Sequence, residues 1–273
     1  FIMSIFILVP VVAPLIGQGI LFLFHWKYII AFFILFSLVT TSFLMMNIEE
    51  TLKEPQKINF VNILKNFKEV LKNLNSMIYI VCLGLLLGGL LTFINICQPL
   101  YLHYFDIGSK FPLFFALIAS MLGLSSYLNS KYVWQFGAGK IALSFSLLLM
   151  IWTLITLAFQ LNYFSLNLIW FSIFIMISFS FFGFIFGNLN ALAINPFGHI
   201  AGYASSIIGS LSTFIALVVS GTSTTFFDGS PDIVIFALST SPICVKCTLE
   251  AERLVKFSPS TTELIVVNGK ACL

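Results

Sequence analysis

The sequence predicts an all-α polytopic membrane protein, because of its composition and the length of its apolar runs. Apolar residues make up 59% of the 273 positions, charged residues only 8%, and Phe alone occurs 32 times. So little polar surface cannot coat a soluble globule. The apolar runs recur at the ~20 residues that a helix needs to cross a bilayer. They are apolar on all sides, whereas barrel strands alternate, so helical spans are expected.

Seven spans are expected along the chain, followed by a weak eighth. They lie at about 2–24, 29–47, 77–102, 111–129, 141–160, 164–191 and 200–226, and the eighth runs from Asp232 to about Val245. The first begins at residue 1 without an initiator Met and without the basic flank of a signal peptide. We therefore expect further spans upstream, in a longer protein.

The segment 49–76, between the second and third spans, is expected to be a cytoplasmic amphipathic linker. Its apolar residues from Phe60 to Leu74 recur at helical spacing, which predicts a helix on the membrane surface with lysines toward anionic lipid. Short Lys-rich loops stay cytoplasmic, and alternation then places the loop 130–140 inside as well. A net charge of +3 without a recognition pattern argues against nucleic-acid binding. The lysines are Lys53, Lys57, Lys65, Lys68 and Lys72, then Lys131 and Lys140.

Small residues that share a helix face predict close packing between spans, since apolar burial cannot drive helix association in lipid. Such faces either slide during transport or pack statically, and the sequence leaves both open. A Gly187→Leu substitution is expected to disrupt folding or insertion. The residues assigned to packing and gating are Gly84 and Gly88; Gly183, Gly187 and Ala191; and Gly202, Ser205 and Gly209, with Pro196 ending one span.

Uncharged polar side chains inside the spans are the candidates for a substrate cavity. Asn95 and Gln98 are three residues apart and precede Pro99, which removes a backbone hydrogen bond and favours a kink. Asn188 lies near the end of a later span, before Pro196. Each amide could line a cavity or form an interhelical hydrogen bond. The predicted span cores hold no Asp, Glu, Lys or Arg.

Catalysis, metal binding and cofactor binding are not expected. The sequence shows no nucleophile with a base, no paired carboxylates and no metal cluster near a span end. Cys244 and Cys247 have the spacing of a metal or redox pair, but no second pair and no His accompany them. A polytopic membrane enzyme is therefore the least favoured class.

Three stretches resemble a known transporter family. Residues 9–19, with Ala13, Pro14, Gly17 and Gly19, resemble the fifth-span signature of antiporters of the major facilitator superfamily, although Gln18 replaces the usual second Gly. Residues 114–137 are similar to the eighth span and its following loop. Residues 187–209, which read GNLNALAINPFGHIAGYASSIIG, resemble the tenth-to-eleventh-span motif of the Bcr/CflA drug-resistance transporters.

The resemblance covers about residues 1–230 and implies a partial major-facilitator-like helix bundle. Spans five to eleven and an incomplete twelfth would be present: 1–48 would hold the last two spans of the N-terminal half, 49–76 the linker, 77–230 the C-terminal helix bundle, and 231–273 an aberrant short span and polar tail. The missing N-terminal spans would complete the bundle.

The resemblance further implies proton-coupled export of small amphiphilic compounds, bicyclomycin-like or chloramphenicol-like, by alternating access across the bacterial inner membrane. The substrate and protons would be the small partners and the lipid bilayer the surrounding one. The alternative is a truncated, non-transporting remnant or an accessory membrane subunit, since the polar tail after about Phe236 departs from the family pattern.

Overall fold

A computed structural model describes residues 16–17, 19–47, 60–161 and 167–239 of the chain. Every regular element in these ranges is helical, which confirms the all-α fold class. Five helical stretches within them are long and apolar enough to cross a membrane. The last of these, Leu168–Thr225, is 58 residues long because it contains two helices joined by a tight turn.

From Lys27 onward, eight α-helices follow one another along the described chain. Three short turns lie between them: a π-helical turn at Leu100–Tyr104, and 3₁₀ turns at Gly108–Lys110 and Asn195–Ile200. The helices are α1 (Lys27–Asn47), α2 (Phe60–Lys72), α3 (Leu74–Pro99), α4 (Phe111–Phe136), α5 (Ala138–Leu161), α6 (Leu168–Ile194), α7 (Ala201–Thr225) and α8 (Asp232–Leu238).

The spans predicted after the linker match α3 to α7, but the loop predicted at 130–140 is wrong. Helix α4 continues to Phe136, and the break before α5 is the single residue Gly137. Gly137 has φ +81° and ψ 146°, a conformation that residues with a Cβ rarely adopt. Most of the span predicted at 2–24, and the predicted eighth span beyond 239, lie outside the described residues.

Helices α3 and α6 form the centre of the bundle. The most extensive contacts join α3 to α7, α4 to α6 and α5 to α6, and α3 also packs on α6. Phe93 of α3 is fully buried, with its ring 5.2 Å from Phe179 of α6 and 6.4 Å from Phe115 of α4. In contrast, α1 has no buried residue. Among the described residues, the buried apolar core begins at Val70 in α2 and continues through α3 to α8.

A change in helical structure accompanies each of the two prolines. Pro99 has no N–H to donate within its helix, and the chain passes directly into the π-helical turn, where the Phe105 N–H donates to the Leu100 carbonyl at 3.1 Å. Helix α6 ends at Ile194, immediately before Asn195 and Pro196. In the 3₁₀ turn that follows, the buried Phe197 has non-helical dihedrals.

Several lysines gather at one end of the bundle, called here the lysine-rich end. Helix α2, which precedes α3, contacts the Asn195–Ile200 turn after α6. Asn129 near the end of α4 contacts Asn188 near the end of α6. The start of α3, the α4–α5 break and the end of α6 therefore lie at this end. The bond from Gln160 to Asp232 marks the opposite end. The lysine-rich end carries Lys65, Lys68, Lys72, Lys131 and Lys140.

Candidate functional site

The seam between α3 and α7 depends on two glycines. A Cβ at Gly84 would lie 2.6 Å from the Cβ of Ile215, and one at Gly88 would lie 2.7 Å from the Cβ of Val219. These distances are shorter than real Cβ contacts, so only hydrogen fits there. Gly84 and Gly88 therefore lie where the backbones of α3 and α7 approach each other closely, as small residues in membrane helices permit.

A third glycine brings α4 and α6 together. A Cβ at Gly183 would lie 2.8 Å from the Leu122 carbonyl oxygen and 2.9 Å from the Ser126 nitrogen. Both are backbone atoms, which cannot rotate out of the way as a side chain can. The contact at Gly183 therefore fixes how closely these two helices approach.

The other small residues singled out from the sequence are not packed in this way among the described residues. A Cβ at Gly187, Gly202 or Gly209 would meet no atom within 4 Å, and Ala191 and Ser205 are exposed. The close contact expected at Gly187 is thus not found. On α7, Ser205 and Gly209 belong to an open face that forms a shallow groove. It is lined by Ser205, Ser206, Gly209, Ser210, Thr213, Phe214 and Leu217.

The antiporter-like signature is only partly visible. Gly17 and Gly19 lie in short helical stretches, and a Cβ on either would meet no atom within 4 Å. Ala13 and Pro14 lie outside the described residues. A close approach of this segment to another helix therefore stays a prediction.

Asn95 and Gln98 lie on an exposed face in the C-terminal half of α3. The Asn95 Nδ2 donates to the Ser220 Oγ of α7 at 3.0 Å, while Gln98 is exposed. The Asn95 carbonyl also receives no helical hydrogen bond from residue 99, because Pro99 has no N–H. This face is polar, open and continuous with the α3–α7 seam, which are the properties that a cavity wall needs. Its contact with a substrate stays a prediction.

Asn188 is placed differently from the other two cavity candidates. Its side chain is only 3% exposed, and its Nδ2 donates both to the Asn129 Oδ1 and to the Phe184 carbonyl at 2.8 Å. Both amide hydrogens are therefore in use. In this conformation Asn188 joins α6 to α4 and does not line an open cavity.

We expect the Asn129–Asn188 bond to couple the two helices measurably. In SDS-titration unfolding of the purified chain, Asn188→Ala and Asn129→Ala should each lower the free energy of unfolding by about 1–2 kcal/mol. The double variant should lose about 1 kcal/mol less than the sum, since interhelical bonds in membranes have coupling energies near this size. Strict additivity would show that the bond contributes nothing.

Several polar contacts between different elements were not predicted from the sequence, among them one at Tyr101 and one at His199. The Tyr101 hydroxyl lies 3.2 Å from the Ser172 Oγ, and Tyr101 is fully buried among the rings of Phe105, Phe111, Phe114 and Phe171. At the other end, the His199 Nε2 lies 2.9 Å from the Glu69 Oε1, which attaches α2 to the Asn195–Ile200 turn. The signals available in the sequence were a Tyr inside a predicted span and a His three residues after Pro196.

Among the described acidic residues, Asp228 and Asp232 lie at the end opposite the lysine-rich end, whereas Glu69 lies at the lysine-rich end. Hydrogen bonds from the side chain and backbone of Ser230 hold the pKa of the exposed Asp228 below its usual range. No group of three or more His, Cys, Asp or Glu side chains able to hold a metal occurs among the described residues. The pair Cys244 and Cys247 lies outside them.

Comparison with known proteins supports the family resemblance. No family model matches this chain. The chain is 28% identical over 225 residues to the bicyclomycin resistance protein homolog of Haemophilus influenzae, a match that covers 79% of this chain. It covers 54% of that relative, so the chain spans about half the length of the curated relative it matches. With its membrane-length helices, this similarity supports a multi-pass membrane protein and confirms the resemblance to the Bcr/CflA-type drug-resistance family.

Proposed function

We propose that this chain is part of an efflux transporter that exports drugs or other small amphiphilic compounds in exchange for protons. The observation behind the proposal is the similarity along 79% of the chain to a protein named for bicyclomycin resistance. The bundle of membrane-length helices is compatible with that activity. Bicyclomycin-like and chloramphenicol-like compounds are the substrates to test first.

The same proposal places the chain in the bacterial inner membrane with the lysine-rich end in the cytoplasm. The asymmetry of charge supports this orientation, because Lys-rich loops are retained on the cytoplasmic side. Five lysines lie at that end, whereas Asp106, Asp228 and Asp232 lie at or near the other.

Transport would proceed by alternating access between this bundle and a second set of spans. The exposed polar face with Asn95 and Gln98 would form one wall of the central cavity. The open face of α7 around Gly202, Ser205 and Gly209 would lie against the moving partner, since small residues permit close sliding contact.

A drug-accumulation assay tests this function. The full-length gene, expressed in a bacterial host that lacks its main efflux pumps, should lower accumulation of chloramphenicol or bicyclomycin relative to an empty vector. A protonophore should abolish the difference, and combined Asn95→Ala and Gln98→Ala substitutions should reduce it several-fold with normal membrane levels. Accumulation equal to that of the empty vector for both compounds would contradict the proposal.

A further inference from the structure

The apolar stripe predicted on α2 is divided between two surroundings. Val70 is fully buried against the bundle, and Phe67 is half-buried beside it. Val61, Leu64 and Leu71 remain 70%, 46% and 38% exposed. One side of α2 therefore anchors it to the bundle, and the other presents aliphatic side chains outward.

Three lysines share that outward side. At about 100° per residue, Val61, Leu64 and Leu71 fall within an arc of about 120° together with Lys65, Lys68 and Lys72. All six side chains are exposed. We call this set the basic face of α2. Lysine and aliphatic side chains lie side by side on it, so the face is both positively charged and partly apolar.

The single acidic residue of α2, Glu69, lies at the edge of this face and is paired with a residue outside α2. Glu69 is held by His199 at 2.9 Å, which directs its carboxylate toward the Asn195–Ile200 turn. Among the described residues, none of the three lysines forms an ion pair with a carboxylate. Within the described part of the chain, three lysines therefore face one carboxylate on α2, which leaves this face with a net positive charge.

We propose that the basic face of α2 binds the anionic phospholipid headgroups of the membrane in which the bundle is embedded. Charge complementarity favours this occupant: lysines pair with lipid phosphates, and Val61, Leu64 and Leu71 enter the headgroup boundary as in other interfacial helices. The helix ends at Lys72, and only Asn73 separates it from the start of α3 at Leu74, so it lies where a span enters the bilayer. Lipid binding here would fix the linker against the membrane, independently of what the protein transports.

Lipid-dependent thermal stabilisation of the purified chain in neutral detergent tests this proposal. Added phosphatidylglycerol should raise the melting temperature more than phosphatidylcholine, because a ligand that binds only the folded state stabilises it. The triple variant Lys65→Gln, Lys68→Gln, Lys72→Gln should weaken the phosphatidylglycerol affinity at least tenfold, since each lysine near an anionic surface contributes roughly fivefold. High salt should reduce the effect of phosphatidylglycerol in the unmodified chain.

Two matched controls distinguish this surface from net charge. The triple variant Lys110→Gln, Lys131→Gln, Lys140→Gln removes the same charge elsewhere and should retain the affinity within about threefold. Replacing the three α2 lysines by Arg should retain it as well. Equal loss in both Gln triples, or an α2 triple that binds phosphatidylglycerol like the unmodified chain, would overturn the proposal. Drug accumulation is not part of the readout, so the outcome is independent of the efflux assay.

Discussion

We expect Gly183→Leu to disrupt the packing of α4 against α6. The added Cβ would press against the Leu122 carbonyl oxygen at 2.8 Å and the Ser126 nitrogen at 2.9 Å, and neither can move without its helix. The two helices must then separate, which forfeits packing along a major interface of the bundle. Overpacking by a few methylenes typically costs about 1–3 kcal/mol. We expect a loss of at least about 3 kcal/mol in the free energy of unfolding, because here the clash is with backbone atoms.

The measurement is SDS-titration unfolding or thermal aggregation of the purified chain, with Gly187→Leu as the matched control. Gly187 is one helical turn away on the same helix, and a Cβ there meets nothing within 4 Å, so its cost should stay below about 1 kcal/mol. Gly183→Ala should fall between the two variants. If Gly183→Leu and Gly187→Leu were equally stable, the close approach of α4 to α6 would be refuted.

Gly84→Leu is the second variant with a large expected effect. Its Cβ would lie 2.6 Å from the Ile215 Cβ, 2.7 Å from the Ile215 Cγ2 and 3.0 Å from the Ser212 carbonyl oxygen. The Cβ of Ile215 is fixed to its own backbone, so a rotamer change cannot relieve the contact. Because α3 and α7 share the most extensive interface of the bundle, we expect a loss of about 2–4 kcal/mol.

Gly209→Leu on the opposing helix is the control for this seam. It introduces the same side chain on α7 at a site where a Cβ meets no described atom within 4 Å. The detergent-solubilised variants should be digested with trypsin at increasing SDS concentrations. Cleavage of the Gly84→Leu variant should begin at a clearly lower SDS concentration than cleavage of the Gly209→Leu variant. Equal protease resistance of the two variants would show that α3 and α7 are not in the contact described.

The features that the sequence predicted correctly are those set by local chemistry. Composition determines that the helices are apolar, and a proline acts on its own helix, so the ends and distortions at Pro99 and Pro196 could be located. The loop predicted at 130–140 was wrong because polar residues such as Ser130 and Lys131 can extend a helix beyond the lipid. Only the dihedrals of Gly137 reveal where the chain turns.

Spacing alone could not show which glycines are in contact. Residues four apart share a helix face, but the pattern does not say what lies opposite that face. Gly183 faces the α4 backbone, whereas Gly187 does not, and the two look alike in the sequence. The Asn129–Asn188 and Tyr101–Ser172 contacts join residues 59 and 71 positions apart, distances at which periodicity contains no information.

The single-residue break at Gly137 limits how α4 and α5 can rearrange. Phe136 and Ala138 are two peptide units apart, so their Cα atoms stay within about 7 Å of each other in any conformation. The end of α4 and the start of α5 therefore stay close together at the lysine-rich end. Any relative motion between the two helices reduces to a scissor-like splaying of their far ends, which would open a gap on one side of the membrane only.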